Sequence, residues 1–238
     1  MLKKTEKSPF KLEAAIFDMD GTLLNTEDIY YQADKNFLEL FGIEYTSQTH
    51  EYMIGKGVKG FLDWTLEQKP DIPYSYQELA ALKEKIFLDC AIDNAQVFDH
   101  MLPLLKAFAE SGIPCAIASG SSLNVIEILT EKTGIRDYFS ALVSSENVER
   151  PKPYPDVFLE TAKRLGVSPS HCVVFEDSLP GVKAALDAGM MCIAIPTIKK
   201  EKYAPEFYDA HILFENGAEE FDYNIVLDWL GLSLCSAK

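Results

Sequence analysis

Ala14-Ala15-Ile16-Phe17-Asp18-Met19-Asp20-Gly21-Thr22-Leu23-Leu24 is the stretch on which the fold turns. Its four leading apolar residues suit a strand buried on both faces of a parallel sheet, and would equally suit part of a buried helix. The Asp and Gly that follow favour the strand. A strand running out into Asp-x-Asp-Gly sets two carboxylates just beyond its carboxyl end, where open α/β sheets keep their ligands. Asp18 and Asp20 are two residues apart on extended chain, so both side chains leave the strand end in one direction. One can then act as nucleophile or metal ligand and the other as proton donor. Gly21 permits a sharp departure and close approach of backbone to a ligand. A turn with an Asx cap, before a helix starting near Thr26, explains the same residues without chemistry.

The chain has 238 residues, 47% hydrophobic and 25% charged, which suits one large or two modest domains. A formal charge of -15 and the lack of any Lys/Arg cluster argue against nucleic acid or an anionic membrane as partner. Five cysteines, Cys90, Cys115, Cys172, Cys192 and Cys235, are scattered without C-x-x-C spacing and read as reduced thiols. The Lys-rich Met1 to Ser8 is not followed by an apolar signal-peptide region, and no apolar run approaches membrane-spanning length. A cytoplasmic monomer is the expectation.

Outward from the opening strand, read as Phe10 to Phe17 behind a loose tail, the pattern turns helical. From Thr26, residues Tyr30, Ala33, Phe37, Leu40 and Phe41 form one apolar stripe, ending at Gly42. A second helix covers Val58 to Gln68, Pro70 to Pro73 break it, and a third runs from Tyr76 to Ala91 with Leu79, Leu82, Ile86 and Phe87 inward. Residues 26–94 therefore form a helical insertion, with 1–25 and 95–238 as the catalytic core. After the insertion helices alternate with strands at Pro114 to Ala118, Ala141 to Ser144, Cys172 to Phe175, Met191 to Ile195 and His211 to Phe214. The intervening helices are Met101 to Glu110, Leu123 to Lys132, Asp156 to Leu165, Gly181 to Ala188 and, closing the chain, Tyr223 to Leu230. The fold class is α/β, a Rossmann-like core whose parallel sheet is flanked by helices, plus a helical cap domain inserted after the first strand.

Three apolar strands finish in polar residues: Phe17 into Asp18 and Asp20, Ala118 into Ser119, and Phe175 into Glu176 and Asp177. In a parallel sheet these ends share one edge, so residues distant in sequence converge. A fourth element, Arg150-Pro151-Lys152-Pro153, holds its lysine between two prolines that limit the backbone and aim the side chain. Two like charges about 4 Å apart repel by roughly 4 kcal/mol at an effective dielectric near 20, so Asp18, Glu176 and Asp177 together demand a cation. Oxygen-only ligands suit Mg²⁺ better than zinc, which would want His or Cys. Lys152 adds a positive charge, and the Ser119 hydroxyl and Gly120 N–H add donors, making an anion cradle beside a metal. Singly, each residue has a plainer use: Ser119 and Asp177 as helix N-caps, Lys152 as a solvated loop lysine.

The set resembles the haloacid dehalogenase superfamily, whose four motifs stand here in order as Asp18-Met19-Asp20-Gly21-Thr22, Ser119, Lys152 and Glu176-Asp177. The insertion resembles that family's helical cap, and Phe175-Glu176-Asp177-Ser178 with Gly181 and Ala184-Ala185 resembles its sugar-phosphate phosphatase and β-phosphoglucomutase branch. The resemblance implies that Asp18 attacks phosphorus to form an aspartyl-phosphate, and that Asp20 protonates the leaving oxygen and then deprotonates water. It implies Mg²⁺ held by Asp18, the Asp20 carbonyl, Asp177 and Glu176, the last direct or through water. Ser119, Gly120 and Lys152 would hold the phosphoryl oxygens.

Asn25 stands where family members often carry Asp, and it can still cap the following helix. The second aspartate, Asp20, points within that family to phosphate esters rather than to dehalogenation. Hydrolysis of a small phosphorylated metabolite by a phosphatase is the first reading; a β-phosphoglucomutase-like phosphoryl shuttle is the alternative, and a non-catalytic phosphate-ligand binding protein a third. In Ile54-Gly55-Lys56-Gly57-Val58-Lys59, Gly55 and Lys56 are the candidates for substrate selection, against a plain helix connection with a solvated lysine. Cap closure would hinge near Leu24 to Thr26 and Asp93 to Gln96 and exclude water from the nucleophile.

Overall fold

A computed structural model describes residues 3–4, 11–53, 56–197 and 202–232. The chain divides into two units, Met1–Asn25 with Gln96–Lys238, and Thr26–Ala95.

In the first unit the opening strand, β2 (Ala14–Phe17), is buried along its whole length because it is paired in parallel on both sides. Its partners are β3 (Cys115–Ser119) and β5 (Cys172–Glu176). The sheet continues through β4 (Phe139–Ser144) beyond β3, and through β6 (Met191–Ala194) and β7 (Ile212–Leu213) beyond β5, all parallel. The order is β1-β7-β6-β5-β2-β3-β4, with β1 (Lys3–Lys4) antiparallel to β7 at the edge. The chain passes from β2 to β3 on one side, and from β5 to β6 on the other. Between β2 and β5 lies the topological switch point, outside whose carboxyl ends ligands bind in open α/β sheets.

Helices cover both faces, as the period of two along β2 requires. Ala14 and Ile16 share a core with Val157, Phe158, Val182 and Ala185, which belong to α7 (Asp156–Leu165) and α8 (Leu179–Asp187). Phe17 points the other way. It stacks on Phe175 with centroids 4.6 Å apart and meets edge-on Phe139 at 6.1 Å and Phe108 at 6.2 Å, the last from α5 (Met101–Glu110). Helices α6 (Leu123–Lys132) and α9 (Tyr223–Leu230) complete the regular elements of this unit.

Several expectations are corrected. The first strand begins at Ala14 rather than Phe10, because its partner β5 starts at Cys172, opposite Ala14. Phe10 lies outside the described residues, and Lys11 to Glu13 are not strand. Within the segment read as a loose tail, Lys3–Lys4 pair with Leu213 and Ile212. The α6 and α8 N-caps are Ser122 and Ser178, each accepting from a backbone N–H three residues on, so Ser119 and Asp177 are not caps. Thr26, not Asn25, occupies the N-cap of the first helix, and it makes no side-chain cap bond.

The second unit is helical: α1 (Glu27–Glu39), α2 (Ser47–Met53), α3 (Gly57–Gln68) and α4 (Tyr76–Ala91). The sequence reading missed α2, whose polar run Ser47 to Glu51 gives little apolar periodicity. A capping box starts α4, with Ser75 accepting from the Glu78 N–H and Glu78 accepting from the Ser75 N–H. Leu40, assigned to the apolar stripe, is 62% exposed; Leu38 is buried in its place and shares a face with Asp34. Asp34 tolerates burial because the Lys83 ammonium meets it at 2.5 Å and the Tyr45 hydroxyl donates to it at 3.3 Å. The Phe61 ring lies 4.3 Å from that ammonium. Among the described residues no helix is long and apolar enough to cross a membrane.

One partly buried group of the first unit gives a pH dependence. His100 stacks on Phe98 and lies 4.7 Å from the Phe221 ring centroid, and its Nε2 is buried without a hydrogen-bond partner among the described residues. Burial holds its pKa below the ordinary 6.5, against the pull of Asp99. The unfolded chain therefore takes the proton first: the group leaves stability untouched above pH 6.5 and removes it as pH falls below that value. Each unit of depression corresponds to about 1.4 kcal/mol. Urea denaturation at pH 7.5 and 5.5 should show wild type losing more stability on acidification than His100→Gln; equal losses would refute this.

Candidate active site

The switch point collects residues from four separate stretches. Asp18 follows β2 and is fixed by its backbone N–H, which donates to the Phe175 carbonyl at 2.9 Å. The residue is buried, 7% exposed, and its Oδ1 accepts from the Lys152 Nζ at 2.6 Å. The same ammonium donates to Glu176 Oε1 at 2.6 Å, so one cation spans the ends of β2 and β5. Neighbouring Arg150 is directed elsewhere, forking onto Asp156 at 3.2 and 3.0 Å. Lys152 alone of that motif turns inward, lying 5.0 Å from the Phe158 ring.

Burial pushes the Asp18 carboxyl up to about 8; Lys152 pulls the other way, and the charges of Glu176 and Asp20 add to the push. Burial lowers the Lys152 ammonium, but Asp18 and Glu176 outweigh it and hold the group above its ordinary value. Two buried carboxyl groups thus share one ammonium, which can balance only one of them when both are ionised.

Glu176 is fully buried with both oxygens engaged. Oε2 accepts from the backbone N–H and the hydroxyl of Ser178, each at 2.9 Å, at the N-terminus of α8. Room for it comes from Gly181, where an added Cβ would fall 1.7 Å from Oε1. Asp18, Glu176 and Asp177 each offer a carboxylate oxygen, and these oxygens lie within 4.8 Å of one another. Three oxygen donors at that spacing, against one neighbouring ammonium, fit a hard divalent cation.

Asp20 sits on the β3 side. Its Oδ2 accepts from the Ser121 hydroxyl at 2.7 Å and from the Ser119 hydroxyl at 3.4 Å. The Ser121 N–H donates to Ser119 Oγ at 3.0 Å, and the Ser121 carbonyl accepts from the Ser144 hydroxyl at 2.7 Å. These bonds tie the loop after β3 to β4 and to Asp20.

Asp18, Asp20, Ser119, Lys152, Glu176 and Asp177 are thus linked or adjacent at one sheet edge. Gly120 follows Ser119 directly and is exposed, with open space where a Cβ would stand. Lys56 is the N-cap residue of α3 in the second unit, with its Nζ 3.8 Å from the Tyr52 ring centroid, and Gly55 lies outside the described residues. The sequence reading gave no role to Ser121, although the Ser119 to Ser122 run carried a signal, or to Ser178, which it quoted only as part of the stretch that contains Glu176 and Asp177. It also missed Thr197, whose hydroxyl donates to Asp177 Oδ2 and which no motif marks.

The family model of haloacid dehalogenase-like hydrolases matches residues 12–189, well over half of the chain, and the chain belongs to that family. It is 31% identical over 189 residues to an Arabidopsis thaliana bifunctional riboflavin kinase/FMN phosphatase, covering 79% of this chain and 49% of that protein. The chain therefore spans about half the length of that relative. It is 34% identical over 187 residues to the fructose-1-phosphate phosphatase YqaB of Escherichia coli, covering 76% of this chain and 94% of that protein. Among solved structures, CbbY of Rhodobacter sphaeroides in complex with phosphate superposes with a TM-score of 0.77 at 25% identity, over 87% of this chain and 96% of that one.

Proposed function

We propose that this phosphoric monoester hydrolase acts on a small phosphorylated metabolite of the sugar or polyol class, with Asp18 as nucleophile, Asp20 as acid and base, and Mg²⁺ as cofactor. The observation that carries the reading is the bridge made by Lys152 between Asp18 and Glu176, with Asp20 in the same strand-end cluster. Relatives named as phosphatases and a similar fold crystallised with phosphate support a phosphate-ester substrate, and the fructose-1-phosphate phosphatase among them supports the sugar class.

In this reading an Asp18 oxygen forms a bond to phosphorus as the ester P–O bond breaks, giving an aspartyl-phosphate and an alkoxide that Asp20 protonates. Asp20, now ionised, takes a proton from water as the water oxygen bonds to phosphorus. The acyl-phosphate P–O bond breaks, Asp18 is restored, and inorganic phosphate leaves. Lys152, the Ser119 hydroxyl and the Gly120 N–H hold the phosphoryl oxygens. Asp18, Asp177, the Asp20 carbonyl and Glu176, directly or through water, would hold Mg²⁺, which supplies positive charge against the phosphoryl oxygens. The helical unit, as a cap, would select the substrate, with Lys56 and Gly55 as candidate contacts.

The test is phosphate release from a panel of sugar, polyol and nucleoside monophosphates with Mg²⁺ or with EDTA. Metal-dependent release is expected. Its absence, joined to conversion of β-glucose 1-phosphate to glucose 6-phosphate when a bisphosphate primer is supplied, would establish the mutase instead. In the same assay Asp20→Asn should slow alkyl phosphates by roughly 100-fold or more and a p-nitrophenyl ester less in the phosphorylation step. Equal slowing of that step for both esters would remove Asp20 as the acid.

A further inference from the structure

We propose that Thr197 is a positioning residue for the Asp177 carboxylate, a role that rests on the metal-holding reading above. The Thr197 hydroxyl donates to Asp177 Oδ2. The same oxygen is enclosed from another side by the bare α-carbon of Gly21. A Cβ there would fall 2.4 Å from Asp177 Oδ2 and 2.8 Å from Thr197 Oγ1, and the φ of +76° at Gly21 disfavours any side chain. Nucleophile loop, β5 end and β6 end thus meet at one carboxylate oxygen, which fixes where the other points.

Thr197 reaches this place through strand register. Ala194, the last residue of β6, pairs with Glu176, and the Ile195 N–H donates to the Glu176 carbonyl at 2.7 Å. Pro196 then keeps the backbone of Ile195 extended, and the next side chain arrives beside Asp177. Lys152 fixes Asp18 and Glu176; Thr197 does the corresponding work for the third carboxylate. It lies beyond residues 12–189, the span matched by the family model.

Partners that orient a metal ligand typically account for about 10- to 100-fold in metal affinity. Calorimetric titration of the phosphate-free protein with Mg²⁺ should show Thr197→Val weaker by at least about 10-fold, with Thr197→Ser close to wild type. In turnover, the Mg²⁺ concentration for half-maximal rate should rise for the valine variant and stay near wild type for the serine variant. Should valine prevent folding, Thr197→Ala takes the same measurements. Wild-type affinity in the valine or alanine variant, or a serine variant as weak as valine, overturns the proposal. If wild type itself binds no Mg²⁺, the metal reading falls and the proposal falls with it.

Discussion

Asp18→Asn is expected to lower phosphate release by about four orders of magnitude or more, as removal of a nucleophile from a concerted set does, while the protein stays folded. The two halves of this expectation have separate physical grounds. Asparagine has nearly the shape of aspartate but cannot form the acyl-phosphate. The fold, meanwhile, gains little from the carboxylate: burial and the charges of Glu176 and Asp20 already work against its ionised form. After the substitution Lys152 keeps Glu176 at 2.6 Å, so no buried charge loses its last partner. The denaturation midpoint should therefore match or exceed that of wild type, measured without metal in both. A variant that unfolds would show Asp18 to be structural, and a folded variant that still turns over would remove it as nucleophile.

The core was legible in the sequence where one physical signal dominated. Ala14 to Phe17 could be placed because an apolar run ending in Asp-x-Asp-Gly has few uses, Ser119 and Glu176 followed because strand ends in a parallel sheet share an edge, and Lys152 stood out between its two prolines. Pairing partners set the limits that composition could not: Lys11 to Glu13 read as part of the strand, yet β5 starts at Cys172, opposite Ala14, and those residues are not strand. Likewise Lys3 and Lys4 carry no strand signal, and what makes them a strand is the edge of β7, a long-range pairing. At the site, the charged residues were legible because chemistry restricts their types. Ser121, Ser178 and Thr197 were not, since serine and threonine serve caps, turns and surfaces equally well, and only geometry shows which hydroxyl meets Asp20, Glu176 or Asp177. In the helical unit, the burial of Asp34 was hidden because its justification, Lys83, lies 49 residues away.

Gly181→Ala should destabilise the protein, reversing the usual sign for glycine in a helix. In an open helical position the change to alanine gains up to about 1 kcal/mol. Here the new methyl would fall 1.7 Å from Glu176 Oε1 and 1.9 Å from its Cδ, and Glu176 is fully buried with nowhere to retreat. Moving it strips Ser178 of its two bonds to Oε2 and Lys152 of its bond to Oε1. Overpacking alone costs roughly 1–3 kcal/mol, and partial loss of a buried ion pair adds to it, so a net loss on the order of 2–4 kcal/mol is expected. Activity should fall as well, since Lys152 would no longer be held between the ends of β2 and β5. A double-mutant cycle in urea isolates the cause. If the clash with Glu176 is responsible, Gly181→Ala should cost little in a Glu176→Ala background, where the carboxylate is gone, although that background recovers no activity. Equal losses in both backgrounds would mean that the methyl disturbs the α8 backbone itself, and that the glycine does not serve to seat Glu176 against Lys152.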